Sequence, residues 1–300
     1  MIPEPPIKKN KLKSLASIII GGFIKDLLFV KRASLIALII FAFLYISFVS
    51  LLYQDQEKLI FIPSKEFPES LKLDGYQVSP IEFNWEDGVA HGFHYKLESS
   101  NKVLLFYYGN AQSVLKTIDR AIWFSKTFKT SIIVVDYPGY GKTSGKPGQD
   151  SIDRWLKGYD QYLQHELNYD KSQRLIWGLS LGGGVAARMA QFHGCHSLIL
   201  ESTFSSLTEL TSQLYPIVPV SWLLKHPFPT LDTLKNNFSS PVFLIHSEED
   251  KIVDISHAYK MEKDAGWPLL VIQGGHSSGY RKYREQIEGF ISPQLKDWLR

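Results

Sequence analysis

One stretch limits the folds open to this chain most severely: Arg174 to Arg188, RLIWGLSLGGGVAAR. Leu175, Ile176 and Trp177 read as a short buried strand. Gly178-Leu179-Ser180-Leu181-Gly182 reads as a sharp turn, and Gly183 to Met189 as the start of a helix. A strand that turns at once into a helix strains the apex residue and lifts its side chain above the sheet edge. Glycines two before and two after the apex remove Cβ atoms that would otherwise collide, and Gly183 and Gly184 let the helix begin close to the sheet. The helix N-terminus also offers unpaired N–H groups and positive dipole to an anion formed at Ser180. Strand, G-x-S-x-G, helix has chemical meaning only in an α/β setting.

The rest of the chain supplies that setting. Val103 to Tyr108 is a continuous apolar and aromatic run, suited to a parallel strand buried on both faces. Further strands are expected at Ile132–Val135, Leu198–Leu200, Pro241–Ile245 and Leu269–Ile272. Helices are expected between them, and a terminal helix over Tyr280–Leu299. Lys58–Ile62, Tyr76–Trp85 and Gly88–Leu97 read as edge strands, the last two forming a hairpin. Strands alternating with helices predict an α/β fold with a mainly parallel, doubly wound sheet. The pattern breaks over 203–240, where Pro216, Pro219, Pro227 and Pro229 sit among Leu214, Tyr215, Ile217, Trp222 and Leu223. That is too long for an ordinary connection, and it reads as a small cap over the strand ends. Tyr108, Trp222 and Leu223 are candidates to line a substrate groove there.

Upstream lies Ala33 to Tyr53, ASLIALIIFAFLYISFVSLLY, with no charge, Pro or Gly. As a helix it reaches roughly 30 Å, enough to cross a bilayer core. Seven Lys and Arg residues precede it, while Asp55 and Glu57 follow. The positive-inside rule then puts the N-terminus in the cytoplasm and the bulk of the chain on the opposite (periplasmic, luminal or extracellular) side. The run is longer than a signal-peptide core, starts late, and has no A-x-A site after it, so an uncleaved anchor is expected. Leu15–Val30 is also apolar but is interrupted by Gly21-Gly22 and Lys25-Asp26. It reads as an interfacial helix or a second span, and a second span would reverse the topology. The expected organisation is a basic segment at 1–32, the anchor at 33–53, and the α/β domain from 58 to 300. The formal charge of +3 points to no nucleic acid, and the single cysteine, Cys195, fits either redox compartment. No cofactor or metal is implied by any His or Cys spacing.

A serine hydroxyl needs a nearby base, usually an imidazole oriented by a carboxylate. Ser180 is followed by Asp250, in a polar loop after one strand, and by His276, after Gly274-Gly275 beyond the last strand. Serine, acid, histidine is the chain order this architecture uses. Glu201, Glu248, Glu249 and Asp254 are rival acids, and His246 is the rival base. Two donors are also required for a developing oxyanion. They are expected from the backbone N–H of Leu181 and, after the Val103–Tyr108 strand, from that of Asn110.

Taken together, Tyr108-Gly109-Asn110-Ala111, the run Asp136-Tyr137-Pro138-Gly139-Tyr140-Gly141, Ser144-Gly145, the elbow, the Asp250 loop and Gly275-His276 resemble the α/β-hydrolase superfamily. More narrowly they are similar to its Bem46-like, membrane-anchored serine hydrolases. The resemblance runs from about residue 58 to the C-terminus. Two positions depart from that pattern: Tyr108 stands where the group carries His, and Pro138 where it carries Arg. The resemblance implies the α/β-hydrolase fold and hydrolysis of a carboxylic ester or thioester, from a small-molecule or lipid-like acyl substrate, through an acyl-enzyme. An amidase or peptidase on the same scaffold, and a catalytically silent binding or scaffold protein, are the competing readings. Serine rather than aspartate at the apex argues against epoxide hydrolase and dehalogenase chemistry.

Overall fold

The computed structural model describes residues 8–72, 75–236, 238–277 and 279–299. The chain divides into two compact units, with the boundary after Asp55. The helix α1 (Lys8–Ile60) runs unbroken over 53 residues. Its portion Ile20–Ile60 is long and apolar enough to cross a membrane, and none of its most apolar window is buried. Helix α1 continues through Gly21-Gly22, where an added Cβ would meet no neighbour within 4 Å.

In the second unit, eight described strands form one sheet in the order β1-β2-β4-β3-β5-β6-β7-β8. The edge is a hairpin of β1 (Gln77–Trp85) and β2 (Gly88–Lys96), the latter pairing antiparallel with β4 (Ser131–Val135). From there β3 (Val103–Tyr107), β5 (Arg174–Leu179), β6 (Ser197–Glu201), β7 (Val242–Ser247) and β8 (Leu269–Ile272) pair in parallel. The doubly wound sheet expected from the alternation of elements is therefore present. Pro80 lies in β1, where a missing N–H costs nothing at a sheet edge.

Helices α2 (Ile118–Phe128), α3 (Gln149–His165) and α4 (Leu181–His193) cover the two faces. Successive residues of β3 serve opposite sides, as the period of two requires. Phe106 packs edge-on against Phe124 of α2, whereas Tyr107 meets Trp155 and Tyr159 of α3. Trp177 of β5 joins the α2 side, 4.2 Å from Phe124 between ring centroids. The chain moves outward from β3 to β4 and then returns past β3 to β5, so winding reverses there. The carboxyl ends of β3 and β5 thus flank the crevice where open α/β sheets hold ligands.

Between β6 and β7 the cap contains α5 (Leu207–Leu214), α6 (Val220–Leu223) and α7 (Thr230–Lys235). Helix α8 (Ser256–Ala265) precedes β8. The single terminal helix expected over Tyr280–Leu299 is instead three pieces: α9 (Gly279–Lys282), α10 (Arg284–Ile291) and α11 (Lys296–Leu299). Pro293 follows α10, and its ring and missing N–H prevent continuation.

Lys58–Ile62 is not a strand. Lys58, Leu59 and Ile60 complete the last turn of α1. The run that reads as a strand simply extends a helix, since no Gly or Pro intervenes before Pro63.

Candidate active site

Ser180 sits at the apex between β5 and α4 with φ 54° and ψ −122°. Such a conformation costs a non-glycine residue about 1–3 kcal/mol and survives only where the surroundings impose it. Here every local bond does so. The Ser180 N–H donates to Glu201 O at 2.9 Å, while the Ser180 carbonyl accepts from Gly183 N at 2.8 Å and from Thr203 Oγ1 at 2.7 Å. The glycines that bracket the turn are steric necessities. A Cβ on Gly182 would lie 2.1 Å from Tyr107 O, and one on Gly178 would lie 2.5 Å from Gly182 O.

Three loops bring the expected side chains together. His276 Nε2 lies 2.8 Å from Ser180 Oγ, and His276 Nδ1 lies 2.6 Å from Asp250 Oδ2. Both distances suit proton transfer through a single imidazole. The Asp250 side chain is wholly withdrawn from solvent, whereas that of His276 keeps 14 % exposure. Burial acts to raise the Asp250 carboxyl. The hydrogen bond and charge of His276, with N–H donors of Val253 and Ile252, outweigh it and hold the group below its ordinary value. Oδ1 accepts both of those N–H groups, at 3.0 and 2.9 Å, leaving Oδ2 for the imidazole.

The rivals occupy other posts. His246 Nε2 lies 2.9 Å from Val253 O, a pure acceptor, so that nitrogen carries the proton and donates. Burial pushes the His246 imidazole down, against the backbone bond and Asp250, so it braces the Asp250 loop as a neutral ring. Glu201 receives Trp177 Nε1 at 2.8 Å and is paired with Arg120, both side chains buried. Arg120 Nη2 also donates to Ser277 O at 3.4 Å, next to His276, and its guanidinium lies 3.8 Å from the centre of the Tyr280 ring. Glu249 accepts from Gly274 N, and Asp254 from Ser256 N.

The loop after β3 lies against the nucleophile. A Cβ on Gly109 would sit 3.4 Å from Ser180 Cβ. Leu181 is the first residue of α4, where an N–H has no intrahelical acceptor, and Asn110 stands one residue beyond Gly109. The Asn110 side chain has a role that residue type alone did not signal. Its Nδ2 donates to Ile60 O at 2.7 Å, while its Oδ1 accepts from Ile62 N at 2.9 Å and Tyr140 Oη at 2.8 Å. The amide thus closes the C-terminal end of α1 and fastens this loop to residues 60–62. Gln112 contributes a further link, its Oε1 accepting from Gly109 N.

Tyr108, a candidate for the substrate groove, is fully buried and donates its hydroxyl to Asp136 Oδ1 at 2.6 Å. Burial pushes the Asp136 carboxyl up to about 7, against bonds from Tyr108 and Val114 N and the charge of Lys65. Its Oδ2 has no partner among the described residues. Trp222 is 88 % exposed, and Leu223 is half-buried with its carbonyl accepting from Gln56.

The sheet order, the elbow and the cap inserted after β6 together define the α/β-hydrolase fold. The wider resemblance read from the sequence holds at this level. The solved structures it is similar to include an esterase, Pf2001, from Pyrococcus furiosus. That similarity has a TM-score of 0.62 at 19 % identity and covers 79 % of this chain and 100 % of that one. An α/β-hydrolase from Vibrio vulnificus is similar with a TM-score of 0.57 at 20 % identity, over 72 % and 80 % of the two chains. Among curated proteins, the chain is 29 % identical over 202 residues to mouse alpha/beta hydrolase domain-containing protein 17C. The match covers 66 % of this chain and 62 % of that protein's length. It is 25 % identical over 232 residues to the Arabidopsis thaliana alpha/beta hydrolase domain-containing protein WAV2, covering 70 % and 75 %. No family model matches the chain, and the Bem46-like group is not named by these relatives.

Proposed function

We propose that the protein is a membrane-anchored serine hydrolase that cleaves a carboxylic ester or thioester of an acyl, lipid-like substrate. The observation that carries this reading is the continuous chain Ser180 Oγ, His276, Asp250, with contacts of 2.8 and 2.6 Å on a strained elbow. His276 takes the Ser180 proton as Oγ attacks the acyl carbon, and Asp250 holds the ring and the charge it acquires. The oxyanion is received by the N–H groups of Leu181 and Asn110. Collapse returns the proton to the leaving alcohol or thiol and leaves an acyl-enzyme. Water, activated by the same imidazole, then releases the acid. The chain's own residues supply each of these steps. The helix α1, with 33–53 as its membrane-crossing part, is the anchor. The basic N-terminal residues stay in the cytoplasm and the hydrolase domain from 58 onward lies on the opposite side. The relatives called α/β-hydrolases and esterases support hydrolysis as the coarse activity.

A fluorophosphonate probe tests the assignment. Labelling of the folded wild type, abolished in Ser180→Ala without loss of the thermal unfolding transition, is expected. Persistent labelling of the variant at another serine overturns it. An amidase or peptidase on the same fold, and a silent scaffold, remain the alternatives. A panel of ester, thioester and peptide substrates separates the first, and the absence of any probe labelling marks the second.

A further inference from the structure

The apolar side chains of the cap divide into a buried set and an exposed set. Leu207, Leu210, Val220, Phe228 and Leu231 are buried. The outer turn carries Leu214 at 61 %, Ile217 at 70 % and Trp222 at 88 % exposure. An indole and two aliphatic side chains held this far into water are unfavourable, and soluble domains rarely expose large apolar patches.

The backbone of this turn is equipped for a medium poor in water. Val218 N donates to Tyr215 O, Trp222 N to Pro219 O and Leu224 N to Val220 O. Pro216 and Pro219 carry no N–H at all. An apolar surface can take up these paired groups without leaving them unsatisfied.

What covers it follows from where the second unit begins. Its first residue, Gln56, is bound to the cap. Gln56 Oε1 accepts from Lys225 N at 2.8 Å, and Gln56 Nε2 donates to Leu223 O at 3.3 Å. Lys225 Nζ reaches Glu57 at 3.2 Å. The residue next to Trp222 is therefore tied to a position only three residues beyond Tyr53, where the apolar run stops. Three helical residues rise about 4.5 Å, less than the thickness of a lipid headgroup layer. Tryptophan is a side chain that settles at that level.

We propose that Leu214, Ile217 and Trp222 form a second membrane contact, inserted into the headgroup and upper acyl region of the bilayer that α1 crosses. This rests on reading α1 as a bilayer anchor. One weak apolar contact gives reversible binding, but joined to an anchor it is held at high local concentration and stays engaged. The cap then sits in the lipid surface from which an acyl substrate would be drawn.

Cys195 is the chain's only cysteine and is buried, which makes site-directed spin labelling direct. Full-length Trp222→Cys and Ile217→Cys, labelled with a nitroxide in phosphatidylcholine nanodiscs, should show greater collision with oxygen than with a polar nickel chelate. Leu38→Cys serves as the anchor control and Lys263→Cys, exposed on α8, as the aqueous control. Aqueous signals at 217 and 222 beside a lipid signal at 38 overturn the cap contact and leave the anchor standing. An aqueous signal at 38 removes the anchor reading and the cap contact with it. Spin–spin broadening at 222 that vanishes on dilution with unlabelled protein identifies a second copy as the occupant, which also overturns the proposal. As an independent readout, Ile217→Glu should slow turnover of a long-chain ester in vesicles about tenfold, with turnover of a short soluble ester unchanged. Equal rates on both substrates would count against lipid contact.

Discussion

Asp250 keeps its charge although its side chain is withdrawn from water, because two backbone N–H groups and the imidazole of His276 surround it. Replacing it by Asn keeps the shape but turns the ring nitrogen that should donate into one facing an amide. Turnover by Asp250→Asn is expected to fall by about 10³- to 10⁴-fold with the unfolding temperature little changed, measured by steady-state kinetics beside calorimetry. Since the folded carboxyl lies below its free value of 3.8, its stabilising contribution is complete above that pH and fades as pH falls through the folded value. Asp136 behaves in the opposite sense. Its pKa of about 7 lies above the free value of 3.8, so the folded state retains a proton the unfolded chain has lost. Stability should therefore decline between about pH 4 and pH 7 through this group. Asp136→Asn should flatten that part of a stability–pH curve from urea titrations, and an unchanged slope would refute the assignment. Serine, acid and histidine were legible in the sequence because each follows its own strand. Asp136 was visible only as part of a motif, since its discomfort depends on which neighbours bury it.

Among the elements, the strand–turn–helix at Ser180 was the most readable, because steric exclusion at Gly178 and Gly182 leaves few alternatives. The loop after β3 was readable in position but not in construction. Asn110 meets Ile60 and Ile62 across some fifty positions of sequence, and nothing in local propensity announces such a meeting. A carbonyl at the end of α1 needs a donor, and the Asn110 amide provides it while fixing the turn that faces Ser180. Asn110→Ala removes four hydrogen bonds, to Ile60 O and from Ile62 N, Ala111 N and Tyr140 Oη. With about 1.4 kcal/mol of their combined worth felt at the transition state, kcat should drop about tenfold with KM nearly constant. A change confined to thermal stability would mean the amide serves folding alone. The misread strand at 58–62 has the same origin: a short apolar run fits either period until its partners are known.

For the whole molecule, the uncharged run at 33–53 with no polar face was evident from the sequence, whereas the extent of α1 from Lys8 to Ile60 was not. The division after Asp55 and the hold of Gln56 on the cap were not, because they arise from contacts between segments far apart in sequence. If α1 is an anchor, the full-length protein should remain in the membrane pellet after alkaline carbonate and high-salt washes. Release by either wash would reduce the helix to a peripheral attachment. Confinement to a membrane would also raise local protein concentration, and with it the danger that open sheet rims zip together. Here one rim is β1, which carries Pro80 with no N–H to donate and the exposed Gln77, Glu82 and Asn84, and the other is a strand of only four residues, β8. Neither offers a long, regular ladder for another chain to join. Crowding at the lipid surface should thus leave neighbouring molecules separate rather than seed fibrils.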